Sequence, residues 1–249
     1  MKATKLVSIL IFMTITFQIS AQKSKEEPPS NPGENWKVRT LDHYEDIYSL
    51  AVSYGDFASA SNAIYGILAF DTANLAWKDS LASLMFARGA LEQCLRLSKE
   101  VYTADNSNLR MLELLAVSEQ GLSNAKESLE YYETLYAQTQ NIFHLYQIAT
   151  LQFGLQRLGE CSANLEKIIQ DPKSETETVS INVGQGYSQQ VPYKAAALNI
   201  IGVIARSLND NESAKKAFED ALKIFPEFIL AQGNLDEMNK PVTTDGEKK

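Results

Sequence analysis

Histidine and cysteine are nearly missing from this chain. Its 249 residues contain two of each: His43, His144, Cys94 and Cys161. That scarcity removes the usual ligands and nucleophiles, and two cysteines are too few for a disulfide framework. His-Glu-x-x-His and Cys-x-x-Cys patterns are absent. Gly184-x-Gly186 is followed by neither a third glycine nor a helix-start lysine, so no phosphate loop is present. Basic residues are also in deficit, 23 against 31 acidic, a net of −8. Such a balance lacks the positive footprint that a nucleic-acid backbone or an anionic lipid surface requires. What the chain does have is apolar material: 45% of its residues are hydrophobic. Wholesale disorder is therefore excluded, and the length suits one large domain or two small ones. No cofactor and no metal site are expected, and the composition points away from an enzyme.

An apolar run opens the chain, and it reads as an address. Lys2 and Lys5 precede Leu6–Ile19, and Ile19-Ser20-Ala21 offers a small residue for cleavage before Gln22. This is the pattern of a secretory signal peptide over residues 1–21. The run is too short for a spanning helix and is interrupted by Thr14, Thr16 and Gln18. No cysteine closes the run, so a bacterial lipoprotein anchor is not available. The expected mature chain is periplasmic or secreted, with no integral membrane span.

The second half carries a spaced set: Leu198, Ile201, Gly202, Ala205, Ala214, Phe218, Ala221 and Pro226. Counted from Ala195, these fall at places 4, 7, 8, 11, 20, 24, 27 and 32. The pattern resembles the tetratricopeptide repeat (TPR), a helix–turn–helix unit of 34 residues. Leu198 and Ala205 depart from it, since aromatics are usual at those two places. Earlier units start at Leu41, Leu75, Leu109 and Ile142, separated by 34, 34 and 33 residues. The resemblance implies an all-α fold: a right-handed TPR-type helical solenoid of about five helix–turn–helix units. The units are 41–74, 75–108, 109–141, 142–175 and 195–227, closed by a capping helix at 228–238. Small residues at places 8 and 20 would let paired helices approach, and larger ones at 4, 7 and 24 would fill the space between them. Stacking of neighbours then buries what one pair alone leaves exposed. Cys94 and Cys161 both fall at place 20 and are expected to be packing residues, too far apart for a disulfide.

Outside the repeat, residues 22–40 read as a flexible leader that Trp36 tacks onto the first helices, and 239–249 as a polar tail. Between the fourth and fifth units lies an insertion, 176–194. There Val179, Ile181 and Val183 alternate with polar residues before Gly184-Gln185-Gly186. Folding about Gln185 would pair Val183 with Tyr187, Ile181 with Gln189 and Val179 with Val191, with all five apolar side chains on one face. The segment is either a β-hairpin arm or an inert surface loop.

In TPR proteins, places 2, 5, 9 and 12 of each first helix line a binding groove. Carried over, the first unit presents Asp42, Glu45, Ser49 and Val52, and the fourth presents Phe143, Tyr146, Thr150 and Phe153. The resemblance thus implies a non-enzymatic, exported scaffold that binds another protein or peptide segment through this groove. The candidate contact residues are Phe86, Phe143, Tyr146, Phe153, Asn199 and Arg206, with Tyr187 of the insertion. The alternative is a small-ligand or glycan binder that uses the fourth-unit aromatics as a stacking platform.

Overall fold

The computed structural model describes residues 32–184 and 186–240. The stretch read as a signal peptide, most of the stretch read as a leader and the last nine residues lie outside them. The described chain divides into two compact units, meeting between Ala137 and Gln138.

The first unit holds α1 (Pro32–Ser53), α2 (Phe57–Leu68), α3 (Leu75–Ala87), α4 (Leu91–Ala104), α5 (Leu109–Gly121) and α6 (Ala125–Thr139). Consecutive helices pack as pairs, α1 on α2 and α3 on α4, with α4 then on α5. The second unit holds α7 (Ile142–Gly154), α8 (Leu158–Gln170), β1 (Thr178–Gly184), β2 (Tyr187–Pro192), α9 (Tyr193–Ser207), α10 (Asn211–Ile224) and α11 (Ile229–Asn239). There α7 packs on α8, α8 on α9, α9 on α10, and α10 on α11.

The repeat is visible atom by atom. Place 20 is filled by Ala60, Cys94, Ser128, Cys161 and Ala214, and all five are wholly buried. Place 8 is Ala82, Ala116 and Ala149 in the middle units and Gly202 in the fifth, again buried. A side chain larger than these at either place would push the two helices of a pair apart. Place 24 carries the filling residues Ile64, Ser98, Tyr132, Leu165 and Phe218, none with measurable exposure. Complete burial of an aliphatic residue there contributes about 1.5–3 kcal/mol. The first unit departs at place 8, where Tyr48 is only half-buried and meets Trp77 edge-on at 5.1 Å between ring centres.

Helix starts follow from the residue that ends the preceding unit. Asn74, Asn108 and Asn141 each accept a hydrogen bond from a backbone N–H of the first turn, at 3.2, 3.1 and 2.9 Å. That satisfies donors which the helix itself leaves without partners. Helix stops inside each pair are also alike. The residue at place 15 takes positive φ in all five units: Gly55 (70°), Gly89 (71°), Ser123 (67°), Gln156 (61°) and Asn209 (62°). The next residue's N–H then reaches the carbonyl five residues back, from Asp56 to Ala51 and likewise through Asp210 to Ala205. This is the Schellman closure.

Two expectations need correction. Helix α1 begins at Pro32, so residues 32–40, read as leader, are helical. Proline suits the first helical position, where its missing N–H costs nothing. Trp36 does meet the helices, with its ring 6.1 Å from that of Phe70, yet it stays 60% exposed. The insertion is a hairpin with Val179 opposite Val191 and Ile181 opposite Gln189. Past Asn182 the register shifts, so that Gly184 rather than Val183 faces Tyr187. Gly184 (φ 103°) and Gly186 (φ 80°) permit that tighter connection. The Asn182 side chain fixes it by accepting the Gly184 N–H at 2.8 Å. The shift breaks the alternation: Val179, Ile181 and Val191 are buried, while Tyr187 is 71% exposed.

Candidate functional site

In the first unit, the row formed by places 2, 5, 9 and 12 of the first helices is mostly polar. On α1 it is open: Asp42, Glu45 and Ser49 are exposed. Partial burial, then Asp42 and Asp46, raise the Glu45 carboxyl above its ordinary value. One step along, the acid at the same place is neutralised. Asp79 of α3 forms an ion pair with Arg110 of α5 and accepts from Asn108 Nδ2 at 3.1 Å. Arg110 also donates to Ser83 Oγ at 2.6 Å. The difference lies in one residue, because the place that carries Arg110 in the third repeat is Ala76 in the second. Phe86, at place 12 of α3, is half-buried.

In the second unit the predicted contact residues separate into two groups. Phe143 and Phe153 stay half-exposed on α7, with Phe143 edge-on to His144 at 5.6 Å. Tyr146 does not belong with them. It is 4% exposed and meets Tyr193, the first residue of α9, at 5.4 Å between ring centres. Burial raises both phenols, Tyr193 to about 12. The insertion delivers Tyr193 onto Tyr146, so this ring is core and not part of an open platform.

Asn199 also needs correction as an open contact residue, whereas Arg206 stays exposed. Asn199 is buried and accepts from Asn234 Nδ2 at 2.9 Å, while Arg206 pairs with Glu237 at 2.9 Å. Both partners lie on α11, which starts 34 residues after Ala195 and so stands as the first helix of a further repeat. The start of α11 one full period after Ala195 was the signal for this that sequence reasoning missed.

Tyr187 is far from such service, exposed at the tip of the hairpin. Below it, Gln189 joins the hairpin to the last helices. Its amide donates to the Glu227 carbonyl at 2.7 Å and accepts the Ile229 N–H at 3.1 Å, which caps α11.

Chemistry of other kinds finds little support. Among the described residues no three His, Cys, Asp or Glu side chains converge to hold a metal ion. Cys94 and Cys161 are free, buried thiols, raised by burial, Cys161 to about 12. A reactive cysteine requires the opposite environment. No described helix is long and apolar enough to cross a membrane.

Helix pairs at a 34-residue period, with small residues at places 8 and 20, define a TPR-type helical fold. Among solved structures, MamA has that fold with a TM-score of 0.60 at 16% identity, over 76% of this chain and 94% of its own. YrrB, described as a TPR protein with an unusual peptide-binding site, matches at 0.60 and 14% identity, over 76% and 89%. A tetratricopeptide repeat protein from Parabacteroides merdae matches at 0.61 and 15% identity, over 80% and 72%. At these identities the likeness is one of fold. No family model matches the chain, and no curated protein does.

Proposed function

We propose that this protein is a non-enzymatic, exported scaffold that holds another protein or an extended peptide through the first-helix rows of its repeats. The observation that carries this reading is the state of α7. Phe143 and Phe153 lie along one helix, neither buried in the core nor fully exposed. Half-exposed aromatics on a rigid helix suit a protein partner, since truncating such anchors commonly costs about 2 kcal/mol or more of binding. The open acidic row of Asp42 and Glu45 offers a second, electrostatic contact. A sugar-stacking platform is less well supported, because its central ring, Tyr146, is buried under Tyr193. Export rests on the N-terminal sequence pattern, which lies outside the described residues.

The test is quantitative capture with full-length protein from envelope extract, comparing wild type with Phe143→Ala and Phe153→Ala. A stoichiometric partner lost by either variant, while the variant stays folded at the assay temperature, supports the reading. A partner retained by both moves the contact away from α7. Failure to find any protein or peptide partner, with only a sugar or other small ligand bound in calorimetry, overturns the scaffold reading.

A further inference from the structure

The hairpin has an edge that is unusual for this chain. From Thr178 to Pro192, fifteen consecutive residues carry no charge, although 22% of the whole sequence is charged. Charged flanks begin at once on either side, with Glu175, Glu177 and Lys194. Exposed edge strands in soluble proteins are normally defended by lysine, proline, a bulge or a covering element. The two strands differ in this respect. The Tyr193 N–H reaches the Glu177 carbonyl at 3.1 Å, which sets the phase of the ladder. In that phase 179/191 and 181/189 are the pairs that exchange hydrogen bonds across the hairpin. The N–H and C=O groups of Thr178, Ser180 and Asn182 therefore point away from β2, as do those of Ser188, Gln190 and Pro192 on the other edge. On β2 the outward row is interrupted by Pro192, which has no N–H, as suits an edge. On β1 it is complete, and no other backbone group among the described residues bonds to it. The bulge comes only after Asn182, so the stretch 178–182 is regular.

This row is also complementary to itself. An antiparallel copy of β1 centred on Ser180 places Thr178 opposite Asn182 and Ser180 opposite Ser180. On the other face it sets Val179 beside Ile181. No like charges meet in that register, and about six backbone hydrogen bonds can form. Two chains of net charge −8 repel one another, and the uncharged hairpin adds nothing to that repulsion. We propose that the chain forms a two-fold dimer by pairing β1 with β1 of a second copy, making a four-stranded antiparallel sheet with Ser180 on the axis.

The experiment is sedimentation velocity of the full chain over a concentration series. Wild type is expected to pass from monomer to dimer as concentration rises. Ser180→Lys places two lysines face to face on the axis and should weaken dimerisation by about tenfold or more. Ser180→Thr, uncharged and suited to a strand, should leave it intact. An equimolar mixture of Ser180→Lys and Ser180→Asp should restore a dimer that neither forms alone. That rescue separates edge pairing from simple misfolding, because two misfolded variants do not repair each other. A wild type that stays monomeric throughout overturns the proposal. So does a dimer that Ser180→Lys leaves unchanged, or a mixture with no recovery.

Discussion

The ring of Phe218 occupies the space into which a Cβ on Gly202 would project, with Cε1 only 2.5 Å from that position. Both residues are buried, and the ring has no measurable exposure through which to retreat. Glycine is therefore the residue that lets α9 lie against α10, and the close approach defines the fifth repeat.

The same substitution should act with opposite signs at two glycines. Gly202→Ala forces Phe218 to move, and overpacking of this kind costs about 1–3 kcal/mol, more than the gain in helix propensity. Gly233 lies inside α11 with nothing within 4 Å of its would-be Cβ. Gly233→Ala should stabilise by about 0.5–1 kcal/mol. Urea melts of both variants check the pair, and two shifts of the same sign would contradict the packing described.

The place-15 turns offer a complementary test. Gln156 holds φ at 61°, where glycine is at ease and other residues are strained. Gln156→Gly should raise stability by about 0.5–1 kcal/mol, with Asn209→Gly giving less because asparagine tolerates that region. Gly55→Ala should do the reverse. Thermal melts rank the three.

Tyr146→Ala should behave as a core deletion. Loss of a buried ring of this size costs about 3–5 kcal/mol. Phe153→Ala, half-exposed on the same helix, should cost distinctly less. Equal losses in chemical denaturation would mean that Tyr146 is not buried in solution.

Glu45 predicts a dependence on pH. Its carboxyl is raised in the folded chain by burial, Asp42 and Asp46, so folding favours the protonated form. That contribution is complete below the unfolded value and is lost as pH rises through the higher folded one. Glu45→Gln should therefore melt above wild type at neutral pH. The gap should close as pH falls through the carboxylate range, and a gap independent of pH would point to another cause.

The address has a direct measurement. N-terminal sequencing of exported protein should begin at Gln22, and an intact Met1 in a membrane fraction would refute cleavage.

The repeat was legible because spacing carries it. Ala60, Cys94, Ser128, Cys161 and Ala214 share a place that only small side chains can fill, whatever their chemistry. Boundaries were less legible. Pro32–Thr40 looked like leader because it shares a stretch, 22–40, rich in proline and charge, yet a proline at a helix start is no obstacle. The contact row was legible in position but not in exposure. Nothing local to Tyr146 reports that the insertion will bring Tyr193 onto it. Nor does the fifth repeat alone report that Asn234 and Glu237 will take up Asn199 and Arg206. Both depend on what the following segment covers, which periodicity does not encode.

The five left-handed turns bear on cooperativity. Each lies within one helix pair, so a glycine introduced at Ser123, Gln156 or Asn209 tightens that pair and reaches others only through the helices it touches. Hydrogen exchange would then read the chain as a row of coupled springs. Slowed amides confined to the altered pair would mean that pairs open singly. Slowing that spreads to neighbouring pairs would measure how many of them unfold as one.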